Sequence, residues 1–194
     1  MGQNAKASER LNAGGAVAPH PLSSVDAAAF RNALSRLAAA VNVITTDGPA
    51  GQCGVTASAV CSVSDTPPTV LVCLNRAHRM NGFVKANGTF CINMLAADQQ
   101  DIAEMFAGFG RVGMAERFIR CGAISDMDRA PIVANAIAAI DCDITGIREV
   151  GTHSVIFGTA RAIKIGKDQR KAPLVYHQRH YHTVQILKSN GESA

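Results

Sequence analysis

The residues best suited to bind a ligand form a run of small side chains from Gly54 to Ser62, Gly-Val-Thr-Ala-Ser-Ala-Val-Cys-Ser. Small side chains let the backbone approach a ligand, so the hydroxyl and N–H groups of this run could bind a flat heterocycle with polar edges. A tight strand crossing in a β-barrel is the alternative, because Ala and Ser are common and no charge in the run marks a reacting centre. The residue types alone slightly favour that alternative.

A second candidate site lies at Ala77-His78-Arg79, which follows an apolar run and precedes a possible helix. Backbone N–H groups at a helix start and a nearby cation both favour phosphate, which makes His78 and Arg79 candidates for anion binding. A solvated surface arginine is an equally good interpretation of Arg79. A third candidate is His153, in Gly151-Thr152-His153, although a lone histidine in a turn is more often structural.

Several apolar runs with β-branched residues predict the strands that would carry these residues. Val41–Thr46 is expected to form a hairpin with the strand entering Val55, through the turn at 47–51. The continuously apolar run 69–74 indicates a strand that is covered on both faces at the centre of the fold. Further strands are predicted at 89–95, 136–150, 153–165 and 174–187. In a regular last strand, Tyr176 would face opposite to Arg179 and Tyr181.

The predicted helices are few and short. Ser23 or Ser24 would cap a first helix; its apolar stripe is expected to contain Phe30, Leu34, Leu37 and Val41. A second helix would span 79–86 and end at Asn87-Gly88, and a third would begin at Asp98. Residues 108–129 have weak periodicity and predict a long loop that could act as a lid.

Composition limits the function classes. The chain has 194 residues with 47% hydrophobic and 18% charged residues, as expected for one globular domain at 23–190 after a flexible arm at 1–22. A net charge of +4 without a dense basic tract argues against nucleic acid and favours small anions. Six scattered Cys without a CxxC pair indicate a reducing compartment. Without a secretion signal or a long apolar stretch, a cytoplasmic location is expected.

The order of motifs along residues 28–184 resembles the small flavin reductase components of two-component aromatic monooxygenases, including those that serve 4-hydroxyphenylacetate 3-monooxygenases. Many short matches in the same order are more specific than one motif. The main matches are Ala39–Gly48, Gly51–Ala57, Val60–Val63 and Asp65–Pro68, followed by segments at 72–75, 80–81, 87–88, 91–93, 106–108, 116–118 and 151–153, and by Tyr176, Tyr181 and His182.

The resemblance implies a mainly β fold, a split β-barrel with a few flanking helices. It also implies an NAD(P)H-dependent flavin reductase (EC 1.5.1.-), in which NADH or NADPH reduces a loosely held FAD or FMN that is passed to a partner monooxygenase. A homodimer is implied as well, with the flavin site near the subunit interface. Because the hydride would pass directly between the cofactors, no catalytic side chain and no metal are expected.

The resemblance also implies roles for individual residues. The flavin ring is expected against Thr56, Ala57, Ser58 and Ala59, with Cys61 and Ser62 near the ribityl chain or phosphate, and Ser58 is the first choice among them. The full expected flavin set adds His78, Arg79 and Phe106, and the expected nicotinamide set is His153, Tyr176, Arg179 and His182.

The chain departs from the family pattern at three places. His78 stands where Ser is usual, Arg79 stands where a small residue is usual, and Arg120-Cys121-Gly122 replaces a segment with Trp, which this chain lacks. FMN and FAD therefore both stay open. Two rival functions also stay open: a split-barrel oxidase of the pyridoxamine-phosphate type, which would need a dense basic cluster, and a non-catalytic flavin-binding protein.

Overall fold

The computed structural model describes residues 25–124, 130–168 and 170–185. The described residues fall into two compact units, divided between Leu34 and Ser35. The first unit contains helix α1 (Ala27–Leu34), which the Asp26 carboxylate caps by accepting the N–H of Ala29 at 2.9 Å. The predicted caps Ser23 and Ser24 lie outside the described residues. Because α1 ends at Leu34, the predicted helical stripe through Leu37 and Val41 is wrong.

Ten strands and three helices make up the described part of the second unit. The strands are β1 (Ala39–Ala40), β2 (Asn42–Thr46), β3 (Cys53–Ala57), β4 (Val60–Asp65), β5 (Pro68–Asn75), β6 (Thr89–Met94), β7 (Ala138–Val150), β8 (His153–Ile165), β9 (Leu174–His177) and β10 (His180–Thr183). The helices are α2 (Arg79–Asn87), α3 (Gln100–Ala107) and α4 (Met114–Arg120), with short 3₁₀ turns at Ala97–Gln99 and Phe109–Arg111.

The strands form two antiparallel sheets. Seven strands pair in the order β3-β2-β6-β7-β8-β5-β4, and a second sheet has the order β1-β9-β10. The two sheets do not close into one continuous barrel. The predicted fold class is confirmed: the chain is mainly β, a split barrel with flanking helices.

The predicted hairpin between β2 and β3 is confirmed, with Ile44 paired to Val55 and the turn closed by Gly51 N–H donating to Gly48 O at 2.8 Å. The central position predicted for β5 is wrong, because β5 lies next to the sheet edge, between β8 and β4. Its Val72 is buried, whereas the alternating Cys73 is only half-buried. The continuous apolar run of β5 therefore reflects one buried face and a second face that is only partly buried.

The last predicted strand is instead a hairpin, in which β9 and β10 are joined by Gln178 and Arg179 at φ 48° and 66°. Two residues with positive φ form a tight turn that reverses the chain, so period-2 alternation does not continue through them. Tyr176 lies directly opposite Tyr181, with ring centroids 5.2 Å apart. The predicted opposite orientation of the two tyrosines is therefore wrong.

Helix α4 lies inside the segment 108–129 that was predicted as a loop. Its Phe118 is 5% exposed and packs edge-to-face on Phe106, with ring centroids 5.5 Å apart. A seven-residue helix that buries one aromatic gives little periodicity, which explains the missed helix. Residues 125–129 lie outside the described residues, and the role of this segment as a lid stays a prediction.

Helix α2 ends as predicted, at Gly88 in the left-handed region with φ 73°, whose N–H donates to Val84 O. One part of the core lies beneath α2 and centres on Phe90, Ile44 and Ile156, which are fully buried. Among the described residues, every helix is too short to cross a lipid bilayer as an apolar span.

Candidate functional site

A pocket of about 520 Å³ opens where the ends of β3 and β5 meet the starts of α2 and β8. This volume falls within the range of small-molecule sites. The pocket is lined by Val55, Thr56, Ala57, Ser58, Ala59, Cys73, Leu74, Asn75, Ala77, His78 and His153. The antiparallel register between β5 and β8 pairs Asn75 with His153 and so brings distant parts of the chain to one site.

The small-residue run forms one wall of this pocket. Ser58 and Ala59 connect β3 to β4, and their carbonyls accept the N–H groups of Val60 and Cys73, both at 3.0 Å. The Thr56 hydroxyl donates to Ala103 O at 2.6 Å, so this side chain is used within the fold. Ser58 is exposed, and its hydroxyl has no hydrogen-bond partner among the described residues. Ser58 is therefore the hydroxyl of this wall that is free for a ligand.

The corner between β5 and α2 forms the second wall. Asn75 fixes it, because its side-chain oxygen accepts the N–H of Ala77 at 2.9 Å and its backbone carbonyl accepts that of His78 at 3.1 Å. His78 caps α2 by accepting the N–H of Met80 at Nδ1, at 3.2 Å. Burial lowers the pKa of His78, and the nearby charge of Arg79 lowers it further. This keeps the ring in the neutral form that a capping acceptor needs.

Two guanidinium groups contribute positive charge beside the second wall. The Cζ of Arg79 lies 4.9 Å from the centre of the Phe83 ring, and Arg117 on α4 donates from Nε to Val112 O at 2.9 Å. Arg117 also lowers the pKa of His78, and both arginines oppose the rise that burial causes in the pKa of the Cys53 thiol. Within the described residues, neither arginine has a carboxylate partner. Their charge is therefore available to an anion.

Arg117 was missed as a site residue because it lies in the segment interpreted as a loop. Its signal in the sequence was the match Glu116-Arg117-Phe118 to the family pattern. The match identified Arg117 as a residue but could not show what lies next to it in space. Tertiary packing places α4 beside β3, where the Phe118 Cζ lies 3.4 Å from the position that a Cβ on Gly54 would take.

His153 opens β8 and is exposed at the pocket. Its Nδ1 lies 2.9 Å from the Thr152 hydroxyl, and Thr152 O accepts the N–H of Arg76 at 2.9 Å. The turn that carries His153 is thus tied to the corner that carries His78. Within the part of the chain that the structure describes, Nε2 has no hydrogen-bond partner, so this ring nitrogen is free for a ligand.

The pocket brings together Thr56, Ala57, Ser58, Ala59, His78 and His153 from the predicted set. Cys61 and Ser62 lie on the exposed strand β4, outside the pocket lining, and the Cys61 thiol donates to Ser62 O at 3.0 Å. Phe106 is 1% exposed and belongs to the core, so packing accounts for it. A role for these three residues at the flavin stays a prediction.

The C-terminal hairpin carries the other predicted nicotinamide residues, Tyr176, Arg179 and His182. None of the three lines the pocket. Tyr176 and His182 belong to the three-stranded sheet, and Arg179 lies in the turn between β9 and β10. Nε2 of His182 lies 3.2 Å from His177 O. Their role at the nicotinamide stays a prediction.

The pocket matches a flat heterocycle that carries phosphate. One wall has no long side chain, and Ser58 offers a free hydroxyl. Arg79 and Arg117 lie outside the pocket lining, near His78 and Cys53, and no carboxylate of the described residues neutralises their charge. Among the described residues, no group of three or more His, Cys, Asp or Glu side chains is placed to hold a metal ion.

Comparison with known proteins gives consistent matches over most of the chain. A family profile for flavin reductase like domains matches residues 34–185. The 4-hydroxyphenylacetate 3-monooxygenase reductase component of Pseudomonas aeruginosa is 43% identical over 157 residues, covering 81% of this chain and 91% of the relative. The FMN reductase (NADH) RutF of Variovorax paradoxus is 44% identical over 181 residues, covering 93% and 96%.

A solved structure matches at the level of the fold and the sequence. The flavin reductase component BorF of a bacterial two-component tryptophan halogenase superposes with a TM-score of 0.76 at 29% identity. The match covers 84% of this chain and 100% of that chain.

Proposed function

The chain belongs to the family of flavin reductase like domains, and from this membership we propose where and how it carries out NAD(P)H-dependent flavin reduction. The protein is an oxidoreductase that uses a flavin and NADH and supplies reduced flavin to a separate monooxygenase component. When bound together, the two cofactors supply the hydride chemistry, so the chain has to bind and orient them.

The flavin ring is assigned to the wall formed by Ala57, Ser58 and Ala59. The observation that carries this assignment is the combination of short side chains with a free Ser58 hydroxyl at the pocket. Short side chains allow the ring to approach the backbone, and the Ser58 O–H can donate to a ring carbonyl. Hydrogen-bond donors of this kind stabilise the negative charge that develops on reduction.

The flavin phosphate is assigned to the corner at the start of α2, beside Arg79 and Arg117. Guanidinium groups bind phosphate oxygens in a bidentate manner and keep their charge at all physiological pH values. His78 supports the corner as the cap of α2, and burial lowers its pKa.

The nicotinamide is assigned to the open side of the ring, next to His153. Hydride transfer requires the nicotinamide carbon about 3–3.5 Å from the flavin nitrogen, so one face of the ring has to stay accessible. The free Nε2 of His153 can hydrogen-bond the carboxamide and orient the nicotinamide. His153 is a binding residue in this proposal and transfers no proton.

We also propose a homodimer and the subclass of NAD(P)H:flavin oxidoreductases, EC 1.5.1.-. The exposed edge strand β4, which carries Cys61 and Ser62, is compatible with a second copy completing the flavin site. Family membership supports both proposals. The natural partner is a flavin-dependent monooxygenase acting on an aromatic compound.

The decisive experiment measures oxidation of NADH and NADPH by the purified protein at 340 nm, with FMN, FAD or no flavin added. Turnover that depends on added flavin and saturates with it supports the proposal and identifies the preferred pair. Tight flavin binding without nicotinamide oxidation would contradict it. Replacing Ser58 by Ala, which removes the hydroxyl without adding bulk to the wall, should raise the KM for flavin more than the KM for NADH.

A further inference from the structure

A carboxylate outside the pocket joins the elements that form two of its walls. Glu149, near the end of β7, has its Oε1 2.7 Å from Lys85 Nζ on α2 and its Oε2 3.2 Å from Arg76 Nε after β5. The Ser154 hydroxyl on β8 donates to the same Oε2 at 2.8 Å. One side chain on β7 therefore contacts groups from β8, α2 and the corner after β5.

The contacts continue into the interior through two buried residues. Asn81 on α2 is 3% exposed, and its amide donates to the Ser154 hydroxyl at 2.9 Å and to Leu74 O at 3.1 Å. Ser154 is fully buried and passes its own hydroxyl hydrogen to Glu149. Asn81 thus donates to Ser154, and Ser154 donates to the Glu149 carboxylate. Because the carboxylate only accepts in this chain of hydrogen bonds, its ionised form is favoured. The hydrogen bond from Lys85, followed by that from Ser154, lowers the pKa of Glu149.

The residue next to Ser154 is His153, the assigned nicotinamide contact. The turn before it is held by Arg76, which donates its backbone N–H to Thr152 O at 2.9 Å and its Nη1 to Gly151 O at 3.3 Å. Arg76 is held in turn by Glu149. Glu149 therefore holds the residues before His153 through Arg76, and it binds Ser154, the residue after His153, directly.

We propose that Glu149 is a positioning residue, which holds the turn carrying His153 against the corner between β5 and α2 and thereby sets the affinity for the nicotinamide. This inference rests on the assignment of His153 under the proposed function. Glu149 itself does not line the pocket. Its effect on the reaction is therefore transmitted through Arg76 and Ser154.

The test compares Glu149→Gln and Glu149→Ala with Asp98→Asn as a matched control. Asp98 also forms an exposed ion pair with a lysine at 2.7 Å, and its partner Lys171 has nearly the same side-chain exposure as Lys85, 29% against 31%. Asp98 does not line the pocket. The Gln variant keeps an acceptor for Ser154 and loses the charge, whereas the Ala variant loses both.

We expect the KM for NADH to rise about threefold in the Gln variant and about tenfold in the Ala variant, with the flavin KM changed less than twofold. The control should leave both constants unchanged. A second readout needs no turnover: the ring ¹⁵N shifts of His153, assigned with His153→Ala, should move in both Glu149 variants of the uncomplexed protein and stay in place in the control.

The outcomes separate the two proposals. If the wild-type protein lacked reductase activity, the proposed function would fail, whereas the His153 shifts would still test the positioning role. Unchanged His153 shifts, or equal changes in the KM values for NADH and flavin, would overturn the positioning role. A lower melting temperature with unchanged KM values would also overturn it, because Glu149 would then serve stability alone.

Discussion

Replacing His153 by Ala is the most direct test of the nicotinamide assignment. The ring lies at the pocket and is exposed, and its contact to the fold is Nδ1 to the Thr152 hydroxyl at 2.9 Å. Losing an exposed contact should cost little stability, so the variant should fold normally. The main loss should be one hydrogen bond from Nε2 to the carboxamide, about 0.5–1.5 kcal/mol of binding free energy.

That free energy corresponds to a KM for NADH raised about twofold to tenfold, because about 1.4 kcal/mol changes an equilibrium constant tenfold. The assay is steady-state NADH oxidation at saturating flavin, followed by the same titration with flavin at saturating NADH. The flavin KM should change less than twofold. The matched control is His180→Ala, an exposed histidine in the C-terminal hairpin that does not line the pocket. An unchanged KM for NADH with unchanged turnover, or the same change in the control, would refute the assignment.

Two further perturbations test the phosphate corner and the core beneath it. Arg117→Met should raise the KM for FMN roughly fivefold, because a solvent-accessible ion pair with the phosphate contributes about 1 kcal/mol. The KM for riboflavin, which has no phosphate, should stay unchanged. An equal effect on both flavins would contradict a phosphate contact. Gly158→Ala would place a methyl group 2.5 Å from the Phe90 ring, so we expect overpacking to lower the free energy of unfolding by about 1–3 kcal/mol in urea titrations. Gly82→Ala is its control, since a Cβ there has no neighbour within 4 Å; equal stabilities of the two variants would argue against the overpacking.

Local patterns in the sequence were sufficient for most of the fold. Paired β-branched runs with a Gly-containing turn between them predicted the β2–β3 hairpin, and Gly88 predicted the end of α2, because few residues other than Gly adopt its left-handed backbone conformation readily. The wrong predictions fell where a local pattern was short or was interrupted. Helix α4 buries a single Phe118, and the turn at Gln178 and Arg179 contains no glycine.

The candidate site was predicted less completely than the fold. The family pattern selected both Ser58 and Tyr176, yet Ser58 lies at the pocket and Tyr176 lies in the other sheet. A motif match gives the identity of a residue without its position in space. Arg117 is the opposite case, a residue that lies beside the pocket but was not predicted. It was missed because it falls in a segment of weak periodicity.

The sequence by itself determined the family, the mainly β class and the small-residue wall, because these depend on residue type and on spacing along the chain. Only the tertiary structure decided which candidates share one site. The pairing of Asn75 with His153 and the packing of α4 against Gly54 join segments that are far apart in sequence. Such contacts depend on the register and burial of the whole sheet, and no local window of sequence contains that information.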